Sequence, residues 1–192
     1  MLPINWRLSA EEVVFNLNDG TPRLLFVDPE YQPMIASARG RLTSVQRFFN
    51  LKPPGGEFDG FNELLRPSTG FQPDDVMGED GLAIIHTAAV AGRPRGALLS
   101  HRNFIGANVH LNLLMHLSPA DVHLNLLPLF HVGGLFMATM SFHAGALNVN
   151  MSKFDAAQAV ELIAAQQVTV LFDFAPILDS ILEQQAKTGK DI

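Results

Sequence analysis

The stretch Leu82-Ala-Ile-Ile85, followed by His86-Thr-Ala-Ala-Val-Ala-Gly-Arg-Pro-Arg-Gly-Ala-Leu-Leu-Ser-His101, decides how this chain is read. Four consecutive apolar residues, Leu82 to Ile85, predict a short buried strand. Thr87 to Gly96 is then a run of small residues (Thr87, Ala88, Ala89, Ala91, Gly92 and Gly96) that carries two cations, Arg93 and Arg95. Ala97 to Leu99 predicts a second strand, and Ser100 can cap the helix behind it. A loop that holds phosphates needs backbone N–H donors, positive charge and side chains small enough for the backbone to approach the ligand. An arginine fork can grip phosphate oxygens two at a time. On these residues alone, a phosphate cradle and an ordinary Gly-Arg-Pro-Arg-Gly turn between two strands fit equally well.

Outward from the loop, strands and helices alternate. Ser100 starts a helix expected to run to about Leu117, with Phe104, Ala107, Leu111 and Leu114 as its apolar face and Pro119 just beyond its end. Val122–Leu127 reads as a strand, Gly133–His143 as a helix and Ala146–Val149 as a strand. A helix over Asp155–Gln166, capped by Asp155, leads into the β-branched run Val168–Phe172 and a last helix over Pro176–Lys187. Upstream, Ser9-Ala-Glu-Glu12 spells a capping box for a short helix that Asn18-Asp-Gly20 stops. Leu24–Val27 and Val45–Leu51 are strand candidates, with a short helix over residues 30 to 38 between them. Pro53–Gly56 breaks the chain, Phe61–Leu65 is a helical turn or two, and residues 66 to 79 form a polar linker. The alternation predicts a layered α/β fold with mostly parallel strands.

Composition limits the function classes. The chain is 47% hydrophobic and 17% charged, which is globular rather than disordered, and a length of 192 residues can bury a real core. A net charge of −6 argues against nucleic acid as a partner. The most apolar stretch, Leu124 to Val149, is interrupted by His, Pro, Asn and Gly, so no integral membrane span is expected. The opening residues Met1-Leu-Pro-Ile-Asn-Trp-Arg7 lack the layout of a secretory signal, and there is no cysteine, so cytoplasm is the expected compartment. Seven histidines are present, but none sits in His-Glu-x-x-His or a tight cluster with carboxylates, so no metal site is expected and most should be surface or half-buried helix residues. Gly-x-Ser-x-Gly, Gly-x-Gly-x-x-Gly and a Gly-Lys-Ser/Thr ending are all missing, against hydrolase, Rossmann and P-loop readings.

Four ordered stretches carry a resemblance. They are Pro3–Leu8 with Leu25-Phe-Val-Asp28, the loop with Leu99-Ser-His-Arg-Asn103, Leu126-Leu-Pro-Leu-Phe-His-Val-Gly-Gly-Leu135, and Val168–Phe172 with Pro176. Together they resemble the large N-terminal domain of the AMP-forming acyl-CoA synthetases and related adenylating enzymes. In that family the loop reads aromatic-Thr-Ser-Gly-Thr-Thr-Gly-x-Pro-Lys-Gly. The resemblance implies a partial AMP-binding, acyl-adenylate-forming domain over 1–192, subdivided at 1–78 and 79–192. It implies a ligase that activates a carboxylic acid, fatty or aromatic, with ATP and Mg2+, releases pyrophosphate and passes the acyl group to CoA. Thr87, Ala88, Ala89, Val90, Ala91, Gly92, Arg95 and Gly96 would form the nucleotide-phosphate loop. Phe130, His131, Gly133 and Gly134 would lie at the acyl and CoA pocket.

This chain departs from the family in two ways. Ala88, Ala89, Val90 and Ala91 stand where the family has Ser, Gly, Thr and Thr, and Arg95 stands for its lysine. A hydrogen bond to a charged group contributes about 1.5–3 kcal/mol, so each lost hydroxyl could weaken ATP binding about tenfold or more. The family's adenine, ribose and hinge motifs and its catalytic-lysine domain have no counterpart here. The expectation is therefore that this chain alone is inactive and holds no complete catalytic set. The alternative is a non-catalytic binding or interaction module derived from such a domain. A partial sheet exposes apolar edges, so self-association is expected in either case.

Overall fold

A computed structural model describes residues 1–52, 56–65, 70, 74–87 and 92–192. The chain forms two compact units, Met1–Leu99 and Ser100–Ile192. The division after Leu99 keeps the two strands that flank the loop in the first unit, apart from the terminal Ser100.

In the first unit, helix α1 (Ala10–Gly20) begins at Ser9 with a reciprocal capping box. The Ser9 hydroxyl accepts the Glu12 N–H at 3.4 Å, and the Glu12 carboxylate accepts the Ser9 N–H at 2.8 Å. The Ser9 hydroxyl, 2.7 Å from the Glu12 carboxylate, and then the Ser9 N–H hold the Glu12 carboxyl below its ordinary range. The helix ends at Thr21 in the left-handed region, φ 46°, with its N–H on the Leu17 carbonyl. Asn18 then ties the helix end to a distant turn, donating to the Arg41 carbonyl at 2.9 Å and accepting the Thr43 N–H at 3.1 Å.

Strands β1 (Leu24–Val27), β2 (Arg47–Asn50) and β3 (Asp59–Gly60) form a parallel sheet in the order β1-β2-β3, with Phe26 opposite Phe49. Parallel neighbours need a crossover, and helix α2 (Gln32–Ala38) supplies the one between β1 and β2. One side of this unit packs Val13, Val14 and Leu17 of α1 with Val27, Ile35 and Phe48. The other face of the sheet carries Phe49 with its ring stacked on Phe26 at 5.3 Å, and Phe61 edge-on to Phe26. Strands β4 (Gly81–His86) and β5 (Gly96–Ser100) pair as a separate two-stranded sheet.

The second unit holds helix α3 (His101–Met115), strand β6 (Val122–Asn125), helix α4 (Val132–Ala144), strand β7 (Leu147–Asn150), helix α5 (Ala156–Gln166), strand β8 (Val170–Leu171) and helix α6 (Ala175–Thr188). The strands are parallel in the order β7-β6-β8. One face of the sheet packs Leu124 against Ala159, Val160 and Ile163 of α5 and Ile181 of α6. On the other face, His123, Asn125 and Asn148 turn toward α4. Asn125 donates to the Gly134 carbonyl, Asn148 to the Ala138 carbonyl, and Asn112 of α3 to the Met140 carbonyl, each at 3.3 Å. Helix α4 is thus held by amide side chains that donate to its carbonyls as well as by apolar packing, and these bonds satisfy buried amide N–H groups that would otherwise be costly.

Three expectations are corrected here. Helix α3 stops at Met115 rather than Leu117, because His116 takes the left-handed conformation at φ 54°. Its buried face is Phe104 and Asn108, whereas Leu114 is 76% exposed. The polar residues face inward because Asn108 accepts the Thr139 hydroxyl and Asn112 donates to Met140. The strand over 168–172 shortens to Val170–Leu171, since Val168 N–H closes the end of α5 on the Ile163 carbonyl.

His123, in strand β6, is fully buried. Asn148 has its amide N–H on Ala138, so its oxygen faces His123 Nδ1 at 3.1 Å and assigns the proton to Nδ1. His123 Nε2 has no partner among the described residues. Burial pushes this imidazole below its ordinary value of 6.5, outweighing the opposite effect of Asn148. Below that value the unfolded chain binds a proton that the folded chain resists, so stability is lost as pH falls through 6.5. Urea-unfolding midpoints should therefore drop between about pH 7.5 and about pH 5.5, and His123→Gln should flatten that drop. An equally steep fall in His123→Gln would remove His123 as the cause.

Candidate functional site

The loop after β4 is described at both stems. Thr87 donates its N–H to the Arg95 carbonyl at 3.0 Å, closing the base of the loop. Gly92 has φ +89°, a conformation that side chains rarely adopt. At Gly96 a Cβ would lie 2.8 Å from Ile84 Cγ2 and 3.2 Å from both His86 Nε2 and Asp19 Oδ2, so a side chain there would require these neighbours to shift. Ala88, Ala89, Val90 and Ala91 lie outside the described residues.

The two arginines of the loop differ. The Arg93 guanidinium lies 5.3 Å from the centre of the Phe15 ring, a cation–π contact with α1. Arg95 is exposed, and among the described residues no carboxylate pairs with it. An uncompensated guanidinium next to small residues is the part of this stretch best able to meet an anion.

Beneath the stems, His86 Nε2 is 2.9 Å from Asp19 Oδ2. The His86 side chain is only 6% exposed, and its Nδ1 has no partner among the described residues. Neither Asp19 nor Phe15 was legible as a site residue in the sequence. The available signal was an acid in the last turn of a helix, where the macrodipole disfavours it.

The second group of expected residues lies at the start of α4, in the other unit. His131 is the N-cap, and its Nδ1 accepts the Gly133 N–H at 3.1 Å, which places its ring proton on Nε2 when neutral. Phe130 is half-buried just before it. At Gly134 a Cβ would sit 2.4 Å from the Pro128 carbonyl oxygen and 2.6 Å from that of Leu127. Gly134 therefore lets the helix start against backbone. Among the described residues, no three or more His, Asp or Glu side chains gather into a metal-binding group, and no helix is long and apolar enough to cross a membrane.

The family model for AMP-binding enzymes matches residues 1–191. A fatty acid–[acyl-carrier-protein] ligase of Streptomyces coeruleorubidus is 31% identical over 201 residues, covering 100% of this chain and 36% of that protein. An indoleacetate–CoA ligase of Aromatoleum aromaticum is 36% identical over 172 residues, covering 88% of this chain and 34% of that protein. A solved Rhodopseudomonas palustris structure, provisionally assigned as a long-chain-fatty-acid CoA ligase, superposes with a TM-score of 0.89 at 41% identity, over 95% of this chain and 46% of that one. The N-terminal domain of FACL13 from Mycobacterium tuberculosis does so with a TM-score of 0.83 at 27% identity, over 94% and 44%. The chain thus spans about a third of the length of these curated relatives. Its mixed α/β architecture with parallel sheets is that of N-terminal domains of acyl-CoA ligases. On the match over nearly its whole length, the chain belongs to the family of AMP-binding enzymes.

Proposed function

We propose that this chain is part of a ligase that activates a carboxylic acid with ATP as the acyl-adenylate and transfers the acyl group to CoA. Residues 87 to 96 serve in this reading as the loop for the β- and γ-phosphates, with Arg95 in the role of the family's lysine. The observation that carries it is Arg95, exposed and without an ion-pair partner among the described residues, in a loop whose Gly92 has open space where a side chain would stand. Phe130, His131, Gly133 and Gly134 form the acyl and CoA side of the pocket. The relatives act on fatty and aromatic acids by their names, and this reading takes a substrate of one of those classes. In this reading magnesium enters as the counter-ion carried by ATP. Cytoplasm is the compartment proposed.

Calorimetry of the purified chain with ATP and magnesium tests the loop. Saturable binding at micromolar concentration is expected, weaker by about tenfold in Arg95→Gln, the loss of one charge-assisted contact. No binding by the wild-type chain would overturn the loop reading. Mixed with ATP, magnesium, CoA and a panel of acids, the chain alone is expected to release no pyrophosphate, and robust turnover would overturn that expectation. Self-association is the accompanying proposal, supported by Ile105, Val109 and Leu113, which are all exposed at fourfold spacing on α3. A monodisperse monomer in light scattering would contradict it.

A further inference from the structure

We propose that Asp19 and Phe15, on helix α1, are positioning residues for the nucleotide-phosphate loop, holding its two stems from below; this rests on reading 87 to 96 as that loop. Asp19 accepts from the His86 ring at 2.9 Å, and His86 immediately precedes the first stem residue, Thr87. Phe15 meets Arg93 on the second stem at 5.3 Å. Phe15 and Asp19 are one helical turn apart, so they present to the loop from the same side of α1. Between their two contacts, Thr87 N–H closes on the Arg95 carbonyl, and Gly96 packs against both His86 Nε2 and Asp19 Oδ2. One short face of a helix thus touches the stem on each side of the loop.

The chemistry of the pair supports a role beyond packing. Asp19 sits in the last turn of α1, a turn with no basic residue, where a negative charge opposes the helix dipole. For helix stability alone the acid is the wrong residue at this position. Its carboxylate instead accepts a hydrogen bond from Nε2–H of a ring that is 6% exposed, which fixes both the tautomer and the orientation of His86. A histidine ring without that acceptor would have no partner for Nε2 among the described residues. The Asp19–His86 bond links positions 67 residues apart, so it sets where the loop base sits relative to α1.

Limited trypsin digestion of the whole chain tests this directly. Arg93 precedes proline and resists cleavage, so the bond after Arg95 is the loop's reporter. Cleavage after Arg47, in the central strand β2, reports opening of the whole unit. Asp19→Ala should speed cleavage after Arg95 by about tenfold, the loss of one charge-assisted bond, and leave cleavage after Arg47 unchanged. Asp19→Asn keeps an acceptor oxygen and should stay within about twofold of wild type. Phe15→Leu, which keeps apolar volume but loses the ring face, should speed cleavage after Arg95 by roughly twofold to fivefold. Wild-type rates after Arg95 in Asp19→Ala, or an equal rise after Arg47, would overturn the positioning role.

A parallel series with ATP and magnesium separates this inference from the reading beneath it. ATP should slow cleavage after Arg95 in the wild-type chain, and Asp19→Ala should need about tenfold more ATP for the same protection. If ATP protects both chains equally, the clamp is overturned and the nucleotide loop stands. If ATP protects neither while Asp19→Ala still speeds cleavage, the nucleotide reading is overturned and the stem clamp stands.

Discussion

Gly134→Ala is expected to destabilise the second unit by about 3 kcal/mol, at the upper end of overpacking substitutions, and to lower its melting temperature by roughly 12–24 °C. The added methyl group would fall 2.4 Å from the Pro128 carbonyl oxygen and 2.6 Å from that of Leu127. Both obstacles are backbone atoms, so no rotamer change relieves them. The turn that holds them is itself fixed, because the His131 N–H donates to that same Pro128 carbonyl at 3.0 Å. The Asn125 amide also bonds the Gly134 carbonyl, so a shift of the helix start would uncover a buried donor. Gly133→Ala is the matched control. There the nearest atoms are the ends of the His131 and Leu127 side chains, each at 3.3 Å, and side chains can give way. Urea unfolding followed by circular dichroism should rank Gly134→Ala well below Gly133→Ala. Equal midpoints would mean that the close approach between α4 and the Leu127–Pro128 turn is not a constraint on the fold.

The second large effect is expected at Phe49, where Phe49→Ala should cost about 4 kcal/mol. Its side chain is fully buried although it lies on the face of the first sheet opposite the α1 core. Among the described residues, an aromatic ring and a guanidinium lie against it. Phe26 stacks on the ring at 5.3 Å, Phe61 meets Phe26 edge-on, and the Arg47 guanidinium lies 4.7 Å above the Phe49 ring. Arg47 is held there by Asp59, with Nη2 at 2.7 Å and Nε at 3.1 Å from one carboxylate oxygen. As a surface ion pair this bond contributes little, but it orients the guanidinium that shields the ring. Arg47→Ala should consequently cost less than Phe49→Ala, about 1 kcal/mol, through lost cover rather than lost charge. A Phe49→Ala cost near that of an exposed substitution would show that the aromatic cluster does not act as a second core.

Both effects show where tertiary structure departs from sequence pattern. The run Val45 to Leu51 is apolar at both Phe48 and Phe49, so periodicity identifies a strand without saying that each ring belongs to a different cluster. Glycines at 133 and 134 are equivalent in sequence, yet only the second touches backbone. In α3, helical periodicity favours Leu111 and Leu114 as inward residues, but the helix turns Asn108 and Asn112 toward α4. Each amide has a partner there, Asn112 on the Met140 carbonyl and Asn108 on the Thr139 hydroxyl, and a buried amide without a partner would be costly.

What the sequence by itself determined is the set of features closed within a few residues. The capping boxes at Ser9 and Ser100 and the Asp155 cap depend on side chains reaching N–H groups three positions on, and all three form. The order of strands and helices follows from apolar runs and their breakers, and four ordered stretches of sequence carried the resemblance to the family. Tertiary structure alone decided what joins distant positions. Asp19 reaches His86 across 67 residues, Asn18 reaches Arg41 and Thr43, and His123 is placed against Asn148 with its pKa lowered by burial. A local bond is specified by spacing along the chain. A distant one depends on strand register and on which face of a helix is turned inward, and those are set only when the layers pack together.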